Sequence, residues 1–381
     1  MENSLSNNQT IKTTRVCTLM IIHSCNLNCL YCFEKHKSNK KMSFDTAREI
    51  LKKEYASYKG DPQRERLAIE LFGGEPLTNF NLIKQIYEWT KEQNLPFNYI
   101  FQITTNGTLL NDSIKEWLRQ RKSDFRLVMS VDGTEAMQKG NRGCGLEKLP
   151  IAYVKETWPN SYFKLTLSPE SLPHYAEGVI SLTEQGYKIA SSLAEGQQWK
   201  DGDEFIYEQE LEKIENYYLS HPEKELEHPF NFLFKEYLEQ RLENKIPYKN
   251  CGCGTTIVMY DTDGLLYPCH LFLPMVHGNN NVLNDIKDID FFNPVALIDE
   301  ECKNCPALKI CKTCYGYNYA QRGNVCKRDK GMCKLRLTEA QSISAFQIKY
   351  FTLKESPLND YELLMLKAAI ACYKHLKDVH I

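Results

Sequence analysis

The distribution of cysteine constrains this chain more than any other feature of its sequence. Fifteen cysteines occur in 381 residues; three lie between residues 25 and 32, and nine between residues 251 and 333. The N-terminal residues are polar and lack the apolar stretch of a secretory signal, and cytosolic thiols stay reduced. We therefore expect a cytoplasmic protein whose clustered cysteines bind metal rather than form disulfides.

Charge and hydropathy exclude several functional classes. The chain has 47 Lys and Arg residues against 49 Asp and Glu residues, a formal net charge of −2. A balance so near neutral provides no basic surface for nucleic acid or an anionic membrane. The longest apolar runs are strand-sized, so we expect no membrane-spanning segment. The length suits one large α/β domain and a smaller appended one.

Strand and helix patterns alternate along the first 200 residues. The predicted strands are 15–22, 66–72, 97–104, 125–131, 161–167 and 187–193, and the predicted helices between them are 44–58, 81–93, 112–121 and 172–185. This alternation favours parallel βα units. The fold class is therefore α/β, with six units forming a partial (β/α)6 barrel that falls short of the closed eight-fold form.

Composition divides the chain into five predicted segments. They are an N-terminal tail (1–14), the partial barrel (15–202), a charged helical bridge (203–248), a cysteine-rich domain (249–337) and C-terminal helices (338–381). The cysteine-rich segment has too few apolar residues to fold well without metal ligands. Asn359 or Asp360 is expected to cap the last helix.

The first cysteine cluster follows the first predicted strand directly. Cys25, Cys29 and Cys32 have the spacing C-x3-C-x2-C. Three thiolates from one short loop can hold three irons of a [4Fe–4S] cube and leave the fourth iron open to a ligand. A zinc ion is the alternative, with His23 or His36 as its fourth ligand. The loop lies where barrels place their chemistry, at the carboxyl end of a strand, which favours the iron–sulfur cluster.

Polar motifs follow the next three strands. They are GGEP (73–76), TTNG (104–107) and SVDG (130–133). The glycines let a ligand approach the backbone, and Glu75 can accept hydrogen bonds from an ammonium group. The Asn, Ser and Asp side chains suit ribose hydroxyls. Together with the cysteine loop, four motifs at consecutive strand ends predict a ligand site.

Over roughly residues 15–200, the chain resembles the radical S-adenosylmethionine (radical SAM) superfamily. The resemblance lies in the order and spacing of the motifs CNLNCLYCFE, FGGEP, TTNGTLL and SVDGT. The resemblance implies that SAM chelates the open iron of a cluster held by Cys25, Cys29 and Cys32. It also implies that reductive cleavage of SAM yields a 5′-deoxyadenosyl radical, which abstracts a hydrogen atom. The implied cofactor-binding residues are Gly73, Gly74 and Glu75 at the methionine ammonium, Asn106, Ser130 and Asp132 toward the ribose, and Arg142 at the SAM carboxylate. The alternative for Arg142 is an ordinary surface arginine.

The C-terminal cysteines have a second distinctive spacing. Cys269 follows Gly264 after four residues, and residues 302–314 read C-x2-C-x5-C-x2-C. This pattern resembles the SPASM extension of radical SAM enzymes, which carries two auxiliary [4Fe–4S] clusters. Three clusters are therefore expected in all, and a pair of zinc sites is the alternative.

The same resemblance implies a ligand set for each auxiliary cluster. The first set is Cys251, Cys269 and Cys314, with Cys253 as a possible fourth ligand; the second is Cys302, Cys305 and Cys311, closed by Cys333 in preference to Cys326. Two departures from the family pattern occur. Only two residues separate the last cysteines of the 302–314 run, where the family usually has three, and the pair Cys251-x-Cys253 is unusually tight.

Enzymes that resemble this arrangement mostly modify ribosomally made peptides or proteins. We expect a maturase that forms a thioether or C–C cross-link; the alternatives are an anaerobic sulfatase maturase, which oxidises Cys or Ser to formylglycine, and a peptide epimerase. Sulfatase maturases carry an acidic residue after the cysteine equivalent to Cys269, whereas this chain has His270. His270 is a candidate base or a structural imidazole. Cys144 is a candidate hydrogen donor to a substrate radical.

The expected partners are a precursor peptide and a reductant such as flavodoxin or ferredoxin. Only about 14 residues precede the first strand. We therefore expect a separate protein, or the bridge and tail, to present the leader of the peptide. A non-catalytic electron carrier and a zinc-stabilised binding module are the alternatives from other classes. Neither needs a pocket for ribose and methionine, so the strand-end motifs argue against both.

Overall fold

A computed structural model describes residues 12–58, 65–238, 249, 251–278 and 280–381. The described strands are β1 (Lys12–Ile22), β2 (Glu65–Gly73), β3 (Tyr99–Thr105), β4 (Phe125–Ser130), β5 (Phe163–Leu167), β6 (Ile189–Leu193), β7 (Ile257–Tyr260) and β8 (Leu266–Tyr267). The described helices are α1 (Phe44–Ser57), α2 (Phe80–Glu92), α3 (Asp112–Arg119), α4 (Glu135–Arg142), α5 (Ile151–Thr157), α6 (Tyr175–Glu184), α7 (Asp203–Ser220), α8 (Pro274–His277), α9 (Val282–Asp285), α10 (Tyr315–Arg322), α11 (Cys333–Leu353) and α12 (Asp360–Leu376).

The described strands form a single open sheet in the order β6-β5-β4-β3-β2-β1-β7-β8. Each of β1 to β5 pairs in parallel with the next strand in the chain. Strands β6 and β8 form the two edges, so the barrel is open, and the predicted partial (β/α)6 architecture is confirmed. The carboxyl ends of β1 to β6 share one edge of the sheet, which is where the predicted site motifs lie.

Strand β7 was not foreseen. It comes from the cysteine-rich segment and pairs in parallel with β1, in the register Val16↔Ile257 to Leu19↔Tyr260. The strand has only four residues and follows a loop rich in glycine and cysteine, so its sequence shows no alternation of apolar and polar residues. As a result, the cysteine-rich segment is joined to the barrel through the sheet itself.

Helices α4 and α5 were also not predicted from the sequence, because α4 is largely polar and α5 is short. The hydroxyl of Thr134 caps α4 by accepting a hydrogen bond from the Met137 N–H at 3.4 Å. Gly143 ends the helix with a φ of 70°, a conformation that favours glycine. Helix α4 carries Asn141 and Arg142 into the site.

The two faces of the sheet differ in chemistry. On the outer face, Leu67, Ile69 and Leu71 are buried beneath the helices, and the rings of Phe101 and Phe125 stack at 5.1 Å. On the inner face, Glu70 accepts hydrogen bonds from Thr18 at 2.8 Å and from Gln102 at 3.2 Å. This alternation gives an apolar core outside the barrel and a polar interior within it.

The C-terminal helices pack against the barrel. Helix α7, the start of the predicted bridge, contacts α6 and α11, and the Tyr207 hydroxyl donates to Glu339 at 2.9 Å. Residues 239–248 of the predicted bridge lie outside the described residues. Asn359 caps α12 in a capping box with Glu362, as predicted. None of the described helices combines the length and apolar character that crossing a bilayer requires.

Candidate functional site

The three cysteines of the first cluster lie in the loop after β1, and each is partly exposed. The Leu27 N–H points at the Cys25 sulfur at 3.4 Å, and the Asn106 amide lies 3.9 Å from the same sulfur. Burial raises the pKa of the Cys29 thiol to about 11, and the neighbouring Cys32 and Cys25 contribute to the shift. Three thiols close together in one loop fit a metal cluster, whose positive charge would stabilise their thiolate forms.

The two histidines considered as the fourth ligand of a zinc ion both have other partners. His23 Nδ1 lies 3.0 Å from the Ser38 hydroxyl, and His36 packs against Gly278. Both histidines therefore make contacts away from the cysteine sulfurs. No disulfide joins any of the fifteen cysteines, all of which are described.

The GGEP loop packs directly on the cysteine loop. A Cβ on Gly74 would lie 2.5 Å from the Ser24 carbonyl oxygen and 2.6 Å from that of His23. The Gly74 N–H donates to Ile22 at 3.1 Å, and the Glu75 N–H donates to Ser24 at 3.0 Å. Only glycine permits this approach of the two backbones.

Glu75 connects the ends of β2 and β3. It is buried, and one oxygen accepts hydrogen bonds from the Thr105 hydroxyl at 2.7 Å and the Leu77 N–H at 3.1 Å. The other oxygen accepts the Asn106 N–H at 2.8 Å. Burial raises the pKa of Glu75, while these donors lower it. Glu75 therefore orders the loop in which Gly73 and Gly74 lie.

Asn106 and Ser130 lie at the ends of β3 and β4. The Asn106 amide donates to the Asn26 side chain at 3.0 Å, which joins β3 to the cysteine loop. Ser130 is largely buried, and its strand register places it opposite Lys164 of β5. Their predicted places along a ribose stay predictions.

Asp132 and Arg142 form a buried ion pair. Arg142 Nε lies 2.9 Å from Asp132 Oδ2, and Nη2 lies 3.1 Å from Oδ1. The Tyr31 hydroxyl, the Asn141 amide and the Thr166 N–H also donate to Asp132. Asp132 is fully buried. Because its oxygens are already engaged by protein donors, this geometry favours a role in positioning Arg142 over the ribose contact predicted from the sequence.

The Arg142 guanidinium keeps one nitrogen for a ligand. Among the described residues, none accepts a hydrogen bond from Nη1, while Asp132 occupies Nε and Nη2. Its Cζ lies 5.4 Å from the centre of the Tyr31 ring, next to the cluster loop. Burial and Asp132 act in opposite directions on the pKa of Arg142, and the net effect is a raised pKa. Arg142 therefore stays cationic and is held in place, unlike a surface arginine.

His270 lies at the mouth of the barrel. Its ring centre is 5.2 Å from that of Phe33, the residue after Cys32, and 5.1 Å from that of Phe72, the residue before Gly73. Burial lowers the pKa of His270 to about 4, and Lys164 adds to this effect. The imidazole is therefore neutral at physiological pH and lies beside the predicted SAM site.

Cys144 lies behind α4. Its side chain is 4% exposed, and its sulfur accepts a hydrogen bond from Gln138 at 3.5 Å. Gln138 also accepts the Asp132 N–H at 2.8 Å. Cys144 thus packs against the residues that support Asp132, which favours a packing role over donation of a hydrogen atom to a substrate.

Four cysteines of the second region form one group, here called the first auxiliary set: Cys251, Cys253, Cys269 and Cys314. Contact with Cys253 lowers the pKa of the Cys251 thiol, and Cys253 also interacts with Cys269. Burial raises the pKa of Cys314, and the nearby Glu195, Cys269 and Cys251 add to the shift. The four predicted ligands therefore lie together, with the Lys249 ammonium beside them.

Cys302, Cys305, Cys311 and Cys333 form the second auxiliary set and line one cavity together with Arg328 and Arg336. Lys330 donates to the Cys302 sulfur at 3.2 Å. The Cys326 sulfur instead points at the Ala296 carbonyl oxygen at 3.3 Å and lines a different cavity. The structure thus groups Cys333, rather than Cys326, with the other three cysteines.

Sequence reasoning missed several residues of the site. Tyr31 bonds Asp132, and Tyr317 lies near both Cys32 and Cys314, between the loop cysteines and the first auxiliary set. Lys164 lies on the inner face of β5. In the sequence, Lys164 is recognisable only as a charged residue at an alternate position of an apolar strand. Nothing in the sequence indicates that the two tyrosines belong to the site.

Comparison with known proteins agrees with this geometry. Residues 19–148 match the radical SAM superfamily. An uncharacterized protein of Methanocaldococcus jannaschii, MJ0907, is 32% identical over 180 residues, which are 45% of this chain and 60% of that protein. The radical SAM cyclopropyl synthase TigE of Paramaledivibacter caminithermalis is 26% identical over 349 residues, 83% of this chain and 71% of TigE. A cysteine-type anaerobic sulfatase-maturating enzyme of Clostridium perfringens is 22% identical over 324 residues, 76% of this chain and 85% of that enzyme.

Solved structures share the fold. The structure of anSMEcpe with bound AdoMet has a TM-score of 0.63 at 17% identity and covers 89% of this chain and 100% of that one. Streptococcus suis SuiB bound to its precursor peptide SuiA has a TM-score of 0.52 at 17% identity, over 87% of this chain and 82% of that one. Residues 19–148 therefore carry a radical SAM domain, a family that implies SAM and a [4Fe–4S] cluster, and the whole chain is similar to radical SAM enzymes of the SPASM type.

Proposed function

We propose that this chain is a radical SAM peptide maturase that forms a thioether or C–C cross-link in a ribosomally made peptide. The observation that carries the proposal is the position of His270 at the mouth of the barrel, between Phe33 of the cluster loop and Phe72 before the GGEP loop. When bound, SAM and its cluster would supply the radical that removes a hydrogen atom, and the auxiliary clusters would accept the remaining electron.

The chain's own residues account for the binding of SAM. Arg142 Nη1 suits the SAM carboxylate, and Asp132 holds the guanidinium in the required orientation. Gly73 and Gly74 leave room for the methionine portion along the backbone, and Glu75 fixes that loop. The proposed roles of Asn106 and Ser130 are to contact the ribose.

Formation of a cross-link with net loss of two hydrogens requires a base. One hydrogen leaves the peptide as an atom, and the second leaves as a proton and an electron. His270 is placed to receive that proton, since no described residue bonds its ring nitrogens. Its lowered pKa makes it a weak base until a negative charge enters the site and stabilises the imidazolium. Its two aromatic neighbours fix the ring beside the cluster loop and the GGEP loop.

The position of Cys144 bears on epimerisation. An epimerase has to return a hydrogen atom to the substrate radical, and a thiol in the cavity is a suitable donor. Cys144 is buried behind α4 and bonded to Gln138. This placement supports cross-linking over epimerisation.

The relatives support a peptide substrate and two candidate reactions. TigE is named a cyclopropyl synthase, and SuiB is a structure with a bound precursor peptide. The second candidate, sulfatase maturation, is supported by the match to anSMEcpe, which extends over 89% of this chain. His270 argues against it, since sulfatase maturases carry an acidic residue at that point.

The test is mass spectrometry of short peptides encoded beside the gene, each co-expressed anaerobically with the enzyme. The proposal predicts a peptide that loses two hydrogens and resists fragmentation between the two joined residues. His270→Gln should lose the product, and the matched exposed control His174→Gln should keep it. An unchanged mass with altered retention would support epimerisation. An aldehyde gained by a sulfatase peptide, with no change in neighbouring peptides, would support sulfatase maturation.

A further inference from the structure

Lys164 occupies an unusual position in the barrel. The flanking residues Phe163 and Leu165 of β5 are buried beneath the helices, whereas Lys164 lies on the opposite face. Its side chain is accessible from within the open barrel and is surrounded there by barrel residues. Its strand register pairs it with Ser130 at the predicted SAM site. Its charge acts on His270, the proposed base. Lys164 therefore lines the space between the cofactor site and the base.

The acidic groups near Lys164 are hydrogen-bonded to other residues, and Lys164 acts on the Glu70 carboxylate through its charge. Asp132 is paired with Arg142, and both oxygens of Glu70 accept hydrogen bonds from Thr18 and Gln102. Among the described residues, no acidic side chain lies within ion-pair distance of the Lys164 ammonium, and none accepts a hydrogen bond from it. The ammonium thus faces the cavity with unused donors.

The surrounding protein disfavours the charged form of Lys164 when no anion is near. Burial lowers the pKa of Lys164, and Arg142 adds to the effect, while Glu70 and Asp132 oppose it. An anion that entered the cavity would displace water and pair with the ammonium at short range, where a surrounding of low dielectric strengthens the attraction. The site is therefore built for a ligand that carries a negative charge.

We propose that Lys164 binds a carboxylate of the peptide substrate and so places the reacting segment between SAM and His270. This inference rests on the proposed function, because the carboxylate belongs to the peptide that is modified. The carboxylate of SAM is a less suitable occupant, because Arg142 already offers a fixed guanidinium nitrogen for it. An Asp or Glu side chain and a peptide C-terminus share the required chemistry.

The test measures binding and does not depend on turnover. The probes are three pools of fluorescent hexapeptides: one with Asp or Glu at one position and an amidated C-terminus, one with Asn or Gln there and an amidated C-terminus, and one with Asn or Gln and a free C-terminus. Anisotropy is recorded with anaerobically reconstituted, SAM-loaded enzyme. The wild type should bind one of the carboxylate pools roughly 10- to 100-fold more tightly than the neutral pool. The preferred pool identifies the source of the carboxylate.

The variants separate recognition from folding. Lys164→Gln should lose the preference and Lys164→Arg should keep it, with iron content and SAM affinity unchanged in both. Lys188→Gln, which removes a partly exposed lysine that pairs with Glu225 away from the site, is the control and should behave as wild type. Equal binding of all pools by the wild type, or a preference that survives in Lys164→Gln, would overturn the inference. Loss of SAM affinity in Lys164→Gln would assign the site to SAM and also overturn it.

This experiment also distinguishes the two proposals. A cross-linked product together with equal binding of the pools would reject the role of Lys164 and leave the proposed function standing. A preference that depends on Lys164, with no modification of any peptide, would reject the proposed reaction while supporting the recognition site.

Discussion

Asp132 holds Arg142 by two parallel contacts, Nε to Oδ2 at 2.9 Å and Nη2 to Oδ1 at 3.1 Å. The pair joins elements that are distant in sequence, because Tyr31 of the cysteine loop and Thr166 of β5 also donate to the carboxylate. The guanidinium is thereby oriented before any ligand binds. Such preorganisation reduces the entropy lost on binding and makes the pair central to the site.

Asp132→Asn should weaken SAM binding and destabilise the fold. The asparagine keeps the size of the side chain but leaves Arg142 as a buried cation without its counter-charge, a change worth roughly 3–5 kcal/mol in buried pairs. We expect at least a tenfold rise in the dissociation constant for SAM, measured by equilibrium dialysis. The control is Glu135→Gln, which removes an exposed ion pair between Glu135 and Lys139 of α4. Wild-type affinity in Asp132→Asn would contradict the positioning role.

Gly74→Ala should disrupt the site, whereas Gly140→Ala should not. The new Cβ at residue 74 would lie 2.5 Å from a backbone oxygen of the cysteine loop, whereas at residue 140 it meets nothing within 4 Å. Overpacking should cost roughly 1–3 kcal/mol and displace the loop, so SAM binding should fall. Gly140→Ala lies in α4 and should stabilise it by about 0.5–1 kcal/mol. Thermal unfolding and SAM binding of the two variants test the contrast, and equal behaviour would refute it.

Cys333→Ala and Cys326→Ala should differ in iron content. Cys333 lines the cavity of the second auxiliary set, whereas Cys326 points away at Ala296. Loss of a ligand exposes a cluster to dissociation, so Cys333→Ala should lose about four irons per chain under mild chelation. Cys326→Ala should retain them. Iron analysis after anaerobic reconstitution decides between the two, and the reverse pattern would assign Cys326 as the ligand.

Glu215→Gln should stabilise the protein at neutral pH and lose this effect in acid. Burial raises the pKa of Glu215 to about 8, and Glu212 and Glu208 add to the shift while Lys349 opposes it. The folded chain therefore holds this proton more tightly than the unfolded chain, and the free energy of unfolding falls as the pH rises from about 4.5 to about 8.

The gain from Glu215→Gln should be on the order of 2 kcal/mol at pH 7 to 8 and should vanish near pH 4, where both states carry the proton. Unfolding midpoints of the reconstituted enzyme across this pH range give the measurement. Glu223→Gln, at an exposed position, is the control. A stabilisation that does not depend on pH would show that the carboxyl is ionised in both states.

The strands and the site motifs could be predicted because their signals are local. The run RVCTLMII is apolar enough to be a buried strand, and the spacing of Cys25, Cys29 and Cys32 confines them to one loop. The role of Asp132 could not be predicted, because its partners come from several elements. Within the motif SVDGT, Asp132 is simply an acidic residue at the end of a strand. Its contacts with Tyr31 and Arg142 exist only in the folded chain.

The missed elements have a similar origin. Strand β7 exists because β1 offers it a free edge, and its four residues carry no periodicity of their own. Lys164 shows its importance only once β5 curves around a polar interior. The predicted distinction between Cys326 and Cys333 depended on family resemblance, and the geometry of the cavity now gives it a physical reason.

The central claim is that the enzyme takes a hydrogen atom from a peptide. The most direct test incubates the reduced enzyme with SAM and a neighbouring-gene peptide that is deuterated at its side chains. The account predicts that 5′-deoxyadenosine gains one deuterium, in amounts matching a peptide product that has lost two hydrogen isotopes. Formation of 5′-deoxyadenosine without deuterium, beside an unaltered peptide, would contradict it.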